Sequence, residues 1–350
     1  YQTLPVALYL EQQHLLVGDE VGLGKTVVAT ASFSDPRTLP ALVVVKPHLQ
    51  AQWKEEIRKF LPDCRIHVVA TTKEYPLPEA DVYIISISKL SAWWGIFASR
   101  IKSVVFDEIQ EFRRTTSEKY KAAKDLCELT PFRLGLSATP IHNYGSEIWN
   151  IYNLVAPDRL GTEEEFIRER CLDGKSVDDP VALGQYLRDN NLFIRRTRKE
   201  VGRELPPIVR YVQEIEFDRH VYEKGVSAAE QLAKLVLTGS FVERGQASRE
   251  FDLRVRQATG LSKAPFVAAL VRMLVESGEK VLLGGWHHAV YDVWAEKLAD
   301  LNPVFFTGRE TPAQKEKARQ AFITGESKVM IMNLRSGAGT NGLQNVASVV

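Results

Sequence analysis

Short apolar runs and longer amphipathic stretches alternate through the first part of the chain. The runs are Leu15-Leu16-Val17, Leu42 to Val45, Val82 to Ile87, Ser103 to Phe106 and Leu134 to Leu136. Their spacing predicts a parallel sheet with helical crossovers. Gln50 to Phe60 places Trp53, Ile57 and Phe60 at helical spacing, and Ser117 to Leu129 reads the same way. From Asp158 to Asn191 the rhythm breaks into polar and charged sequence, and Phe217 to Ser262 reads as mainly helical. It returns at Val281-Leu282-Leu283, Val304-Phe305-Phe306 and Val329 to Met332. A boundary is expected near Leu205-Pro206-Pro207, where two prolines end a helix and stiffen a connector. The expected domains are thus 1–205 and 206–350, both α/β, the second with a helical insertion.

Composition narrows the function classes. The 350 residues suit two domains, and 45% hydrophobic with 25% charged residues is ordinary for a globular chain. Lys plus Arg number 45 against 44 Asp plus Glu, so no global basic field marks a nucleic-acid partner; any such partner must follow a local track. Cys64, Cys127 and Cys171 are far apart and support neither a zinc site nor a disulfide framework, which favours a reducing, intracellular, soluble setting. No apolar run approaches the roughly 18 residues of a membrane span, and no leader opens the chain, so no membrane is expected. The start at Tyr1 and the closing run Ala347-Ser348-Val349-Val350, which reads as a strand cut short, give the expectation of a fragment at both ends.

Three segments carry chemistry. Gly18-Asp19-Glu20-Val21-Gly22-Leu23-Gly24-Lys25-Thr26 follows an apolar strand and precedes the helical run Val27 to Ser32. Such a loop turns backbone N–H groups and a helix N-terminus toward a polyphosphate, with Lys25 within reach of the β and γ phosphates and the Thr26 hydroxyl on magnesium. The strict phosphate-loop pattern fails at its first position, where Asp19 stands. Ser103-Val104-Val105-Phe106-Asp107-Glu108 is an apolar strand ending in adjacent carboxylates; the first acid suits magnesium and the next can polarise an attacking water. Leu134 to Pro140 is a strand ending in the hydroxyls Ser137 and Thr139.

In order, the chain reads D-E-V-G-L-G-K-T, V-V-K-P-H-L-Q-A-Q-W-K-E-E-I-R-K-F, F-D-E-I-Q, L-S-A-T-P-I-H-N and F-I-R-R-T-R-K-E-V-G-R-E-L-P-P, followed by K-V-L-L-G-G-W, F-F-T-G-R and N-L-R-S-G-A-G-T-N-G-L-Q. This series resembles the Swi/Snf-type ATPases of helicase superfamily II over nearly the whole chain. The block from Arg195-Arg196 to Pro207 is the most discriminating piece.

The resemblance implies two tandem RecA-like P-loop domains with parallel sheets, the second incomplete, with ATP between them and double-stranded DNA as the track. It implies that Gln2 reads adenine, that the ATP-binding loop comprises Asp19, Glu20, Gly22, Leu23, Gly24, Lys25 and Thr26, and that Mg2+ is held by Thr26 and Asp107. Glu108 is then the water-activating acid. Coupling would fall to Gln110, Ser137, Thr139 and the loop bearing Arg335, Gly337 and Gly339. Gln110 stands where most relatives carry His, the last loop departs from the usual sequence, and the family's arginine-bearing final motif is not among these residues.

Candidate nucleic-acid contacts are Lys46, His48 and Gln52 after the second strand, Ser86 and Lys89 after the third run, Asn143, and Thr307-Gly308-Arg309. Backbone N–H groups and hydroxyls grip phosphates as well as basic side chains do, so a neutral protein can still hold a duplex. Trp53 reads as a core residue or a stacking platform, and His287-His288 as surface or ligand. Arg195, Arg196, Arg198 and Lys199 read as a solvated helix face or as an interdomain or DNA-side element. The same motifs also fit a strand-separating helicase, or an ATP-dependent switch that docks without moving. A nuclease or other protein partner is a further expectation.

Overall fold

The computed structural model describes the chain apart from residues 141–144, 173, 175, 204–208, 228, 239 and 335–341. It divides into two units, Tyr1–Pro207 and Ile208–Val350. The expected boundary residues Leu205 to Pro207 lie outside the described residues.

In the first unit the elements run α1 (Thr3–Gln12), β1 (His14–Val17), α2 (Lys25–Ser32), β2 (Ala41–Val45), α3 (Gln50–Phe60), β3 (Ile66–Val68), β4 (Val82–Ser86), α4 (Leu90–Ala98), β5 (Ser103–Asp107), α5 (Glu118–Leu129), β6 (Phe132–Leu136), α6 (Ser146–Val155), α7 (Glu163–Arg170), α8 (Pro180–Asp189) and β7 (Phe193–Ile194). The strands form a seven-stranded parallel sheet in the order β3-β4-β2-β5-β6-β1-β7. Alternate residues leave a strand on opposite faces, and the sequence uses both. Leu16, Leu42, Val44, Ile85, Val104 and Phe106 pack with Trp93, Phe97, Leu126 and Ile151 from α4, α5 and α6. Leu15, Val17, Val43, Val45, Ile84 and Val105 pack with Tyr9, Val28, Trp53 and Ile57 from α1, α2 and α3. This two-sided burial is why the strands read as continuous apolar runs rather than alternating ones.

The polar stretch after Asp158 holds two helices that its composition conceals. Thr162 and Glu165 form a reciprocal capping box, and the Asp179 carboxylate accepts from Val181 and Ala182 N–H with Pro180 in the first turn. Each helix buries only a narrow stripe, Phe166 from α7 and Leu183 and Leu187 from α8.

The second unit comprises α9 (Arg219–Ser227), α10 (Glu230–Thr238), α11 (Phe241–Glu276), β8 (Val281–Gly285), α12 (His288–Lys297), β9 (Val304–Phe306), α13 (Pro312–Thr324) and β10 (Val329–Asn333). Its strands pair in parallel in the order β8-β10-β9, and Val349 bridges Val281 in parallel. Among the described residues one helix, Val242–Glu276, is long and apolar enough to cross a membrane by length and composition alone, its most apolar 18-residue window having a mean hydropathy of 1.3. Within it Ala264, Ala268, Val271 and Val275, at helical spacing, pack as one apolar stripe against Val281, Leu283 and Ile331 of the sheet.

Candidate active site

Strand register brings the chemistry together. Val17 of β1, Leu136 of β6 and Asp107 of β5 are aligned as neighbours across three adjacent strands. The glycine-rich loop, the Ser137 segment and the carboxylate pair therefore leave the sheet side by side at its carboxyl edge, where open parallel sheets hold ligands. Gly18 begins the loop because the Phe193 ring of β7 occupies the space a Cβ would need. Gly24 takes φ +76° directly before α2, a left-handed turn open to glycine.

Lys25 is half-buried, and its ammonium donates to the carbonyl oxygens of Asp19 at 2.7 Å and Glu20 at 3.3 Å. Burial pulls its pKa below the usual lysine range, while Glu108, Asp107 and Asp19 pull the other way. Burial raises the Asp107 carboxyl to about 6, against the hydrogen bond donated by the Trp53 indole, 2.8 Å from Oδ2. Glu108 sits in the left-handed region at φ 55°, and the Gln110 amide donates to its Oε2. Gln110 is itself buried, which fixes the partner of the acid. A lysine facing two carboxylates beside a helix N-terminus suits a phosphate chain carrying a hydrated divalent cation.

Asp19 and Glu20 use their two ends differently. Their carbonyls serve Lys25, but their carboxylates turn to the arginine block. Asp19 is fully buried and is held by Arg196, whose Nε lies 3.0 Å from Oδ1 and whose backbone N–H donates to the same oxygen. Glu20 Oε2 accepts from the Arg198 N–H at 2.9 Å. Arg195 donates to the Ala138 carbonyl at 3.0 Å and the Gly18 carbonyl at 3.4 Å, joining the loop to the Ser137 segment. Residues 195–197 lie in no helix and 198–202 form turns, with the Glu20 N–H donating to the Arg196 carbonyl at 3.0 Å, so the helix-face reading of this block is overturned. Gln2 rests on the loop, its amide donating to the Leu23 and Gly24 carbonyls at 3.2 and 3.4 Å. Leu23 is buried and Gly22 exposed.

Ser137 is buried, and its hydroxyl accepts the Thr139 N–H at 3.0 Å, forming a turn that leaves Thr139 exposed. An ion pair that sequence reading missed joins the half-buried Arg113 to the buried Glu147 at 3.1 Å, and Asn150 Nδ2 donates to the Arg113 carbonyl at 2.6 Å. The turn after the acid pair is thus tied to α6. Only pairing across the fold reveals this; nothing in local spacing signals it.

The nucleic-acid candidates of the first unit lie at the carboxyl ends of β2 and β4, on the far side of β5 from the loop. Lys46 pairs with Glu111 at 3.5 Å, and His48 and Gln52 are half-buried. Ser86 is buried with its hydroxyl 3.1 Å from that of Ser88, so Ser88, which is exposed, replaces it as the surface hydroxyl. Lys89 donates to the Val69 carbonyl at 2.7 Å. In the second unit Thr307 is buried and its N–H and hydroxyl donate to Glu310, Gly308 is exposed, and Arg309 pairs with Asp292 at 3.1 Å. Trp53 is a core residue, 1% exposed, not a stacking platform. His287 is half-buried beside the exposed His288, and the described residues contain no cluster of three or more His, Cys, Asp or Glu fit for a metal ion. Asn143, Arg335, Gly337 and Gly339 lie outside the described residues.

Residues 3–259 match the SNF2-related domain. The chain is 26% identical over 349 residues to the uncharacterized ATP-dependent helicase MG018 of Mycoplasma genitalium, covering 92% of this chain and 33% of that protein. It is 26% identical over 301 residues to the mouse DNA annealing helicase and endonuclease ZRANB3, covering 78% of this chain and 27% of that protein. It thus spans about a third of the length of the curated relatives it matches. In fold it resembles the Sulfolobus solfataricus SWI2/SNF2 ATPase core in complex with dsDNA, with TM-score 0.53 and 19% identity, covering 95% of this chain and 76% of that one. The chain belongs to the SNF2-related family.

Proposed function

We propose that the chain is the motor of an ATP hydrolase that moves along double-stranded DNA. The observation that carries this reading is the alignment of the Lys25 loop, the Asp107-Glu108 pair and the Ser137 segment on three neighbouring strands. Lys25 leaves its loop carbonyls to meet the β and γ phosphates, and backbone N–H groups at the start of α2 hold the remaining oxygens. Thr26 and Asp107 would hold Mg2+, which would supply positive charge to the phosphate oxygens. Glu108, oriented by Gln110, takes the proton of the attacking water. Gln2, whose amide rests on the Leu23 and Gly24 carbonyls, is the residue proposed to read adenine.

Duplex DNA is the track that the family supports; relatives named as DNA helicases and a structural neighbour bound to dsDNA agree with it. A DNA-bound, intracellular setting follows, and a nuclease or other protein partner remains part of the proposal. The test is steady-state ATP hydrolysis with and without duplex. Stimulation by duplex supports the reading; equal stimulation by single-stranded RNA contradicts it.

A further inference from the structure

We propose that Trp53 is a positioning residue for the magnesium site, its indole N–H fixing the Asp107 carboxylate from a helix that begins directly after Lys46 and His48. The inference rests on the nucleotide reading and extends it to the route by which an occupied track reaches the metal.

Trp53 Nε1 lies 2.8 Å from Asp107 Oδ2. The ring is 1% exposed and shares its core with Val28 and Ala29 of the phosphate-loop helix. It therefore cannot swing away without opening that core. Its helix starts at Gln50, one short turn after Lys46. The donor thus rides on the element that follows the candidate track residues, and the acceptor sits at the tip of β5.

Buried indoles generally find an acceptor, so a hydrogen bond alone proves little. Trp93 supplies the contrast: also fully buried, it donates to the backbone carbonyl of Thr71 at 2.9 Å. Trp53 instead engages a side-chain carboxylate in the metal site. Hydrogen bonds are directional, so a shift of α3 on nucleic-acid binding alters the hold on Asp107.

Trp53→Phe keeps an aromatic ring and removes the N–H. In full-length protein, binding of methylanthraniloyl-ADP is titrated with Mg2+ and repeated in EDTA. The expected result is a Mg2+ requirement raised about tenfold, as for loss of a hydrogen bond to a charged group, with affinity in EDTA unchanged. An unchanged Mg2+ requirement overturns the proposal, as does a parallel loss of stability and EDTA affinity, which would mark a packing role. The unaltered protein gives a measurement independent of the variant's folding. Its ¹⁵N-indole resonance nearest the metal, found by broadening when Mn2+ replaces Mg2+, should shift when a duplex oligonucleotide is added. A resonance unmoved by duplex in protein that binds both Mg2+–nucleotide and duplex overturns the coupling. Absence of any nucleotide binding by wild type would instead defeat the nucleotide reading, and the inference with it.

Discussion

The Arg196 guanidinium grips the Asp19 carboxylate by both oxygens, so the acid inside the phosphate loop is neutralised by a residue 177 positions along the chain. Asp19 is fully buried and Arg196 nearly so. Removing one partner strands a buried charge, at a cost of ~3–5 kcal/mol. Arg196→Met should therefore destabilise the first unit by about that amount in denaturant unfolding, whereas Asp19→Asn with Arg196→Met should cost less than the two changes summed. Strictly additive costs would show that the pair does not interact.

Lys25→Ala should abolish nucleotide binding or hydrolysis with little change in thermal midpoint. Its ammonium bonds two loop carbonyls and supports no apolar core. A hydrogen bond to a charged group is worth ~1.5–3 kcal/mol, so affinity for ATP should fall at least about tenfold. Calorimetric titration checks this, and unchanged affinity with unchanged turnover would remove the phosphate-loop assignment.

Glu108→Gln should retain Mg2+–ATP binding and lower turnover by roughly 10²-fold or more, since the amide keeps the shape but takes no proton. Gln110→Ala should cost less, because that amide orients the acid without accepting the proton itself. Single-turnover hydrolysis separates them. Equal losses would place Gln110 in the reaction rather than beside it.

Five of the seven strands of the first sheet, the loop and the acid pair were legible because each is local, an apolar run and the residues at its end; β3 and β7, three and two residues long, were too short to stand out. The arginine block stayed open between two readings because a charge-rich sequence looks the same on a solvated helix as on a segment that pairs with acids elsewhere in the fold. Its true partners, Asp19 and Glu20, come from the other end of the unit. Helices α7 and α8 were hidden for a related reason, their burial being limited to one or two side chains each. Trp53 was readable as core, but its bond to Asp107 depends on how α3 packs over the sheet, which no spacing encodes.

Asp292 competes with phosphate for Arg309, their groups 2.5 Å apart at the closest contact on an exposed face. Asp292→Asn should tighten duplex binding modestly and steepen its dependence on log salt by about one, the contribution of one additional phosphate contact. Fluorescence anisotropy across a salt series measures both. A variant that binds no more tightly would take Arg309 off the track.

Directed movement along duplex DNA is tested most directly by displacement of a third strand from a triplex, which reports translocation without unwinding. Full-length protein should release the third strand only with ATP, more slowly as the duplex run leading to it lengthens, and not at all with Glu108→Gln. Duplex-stimulated ATP hydrolysis without third-strand release would contradict the account and leave a DNA-docking switch in its place.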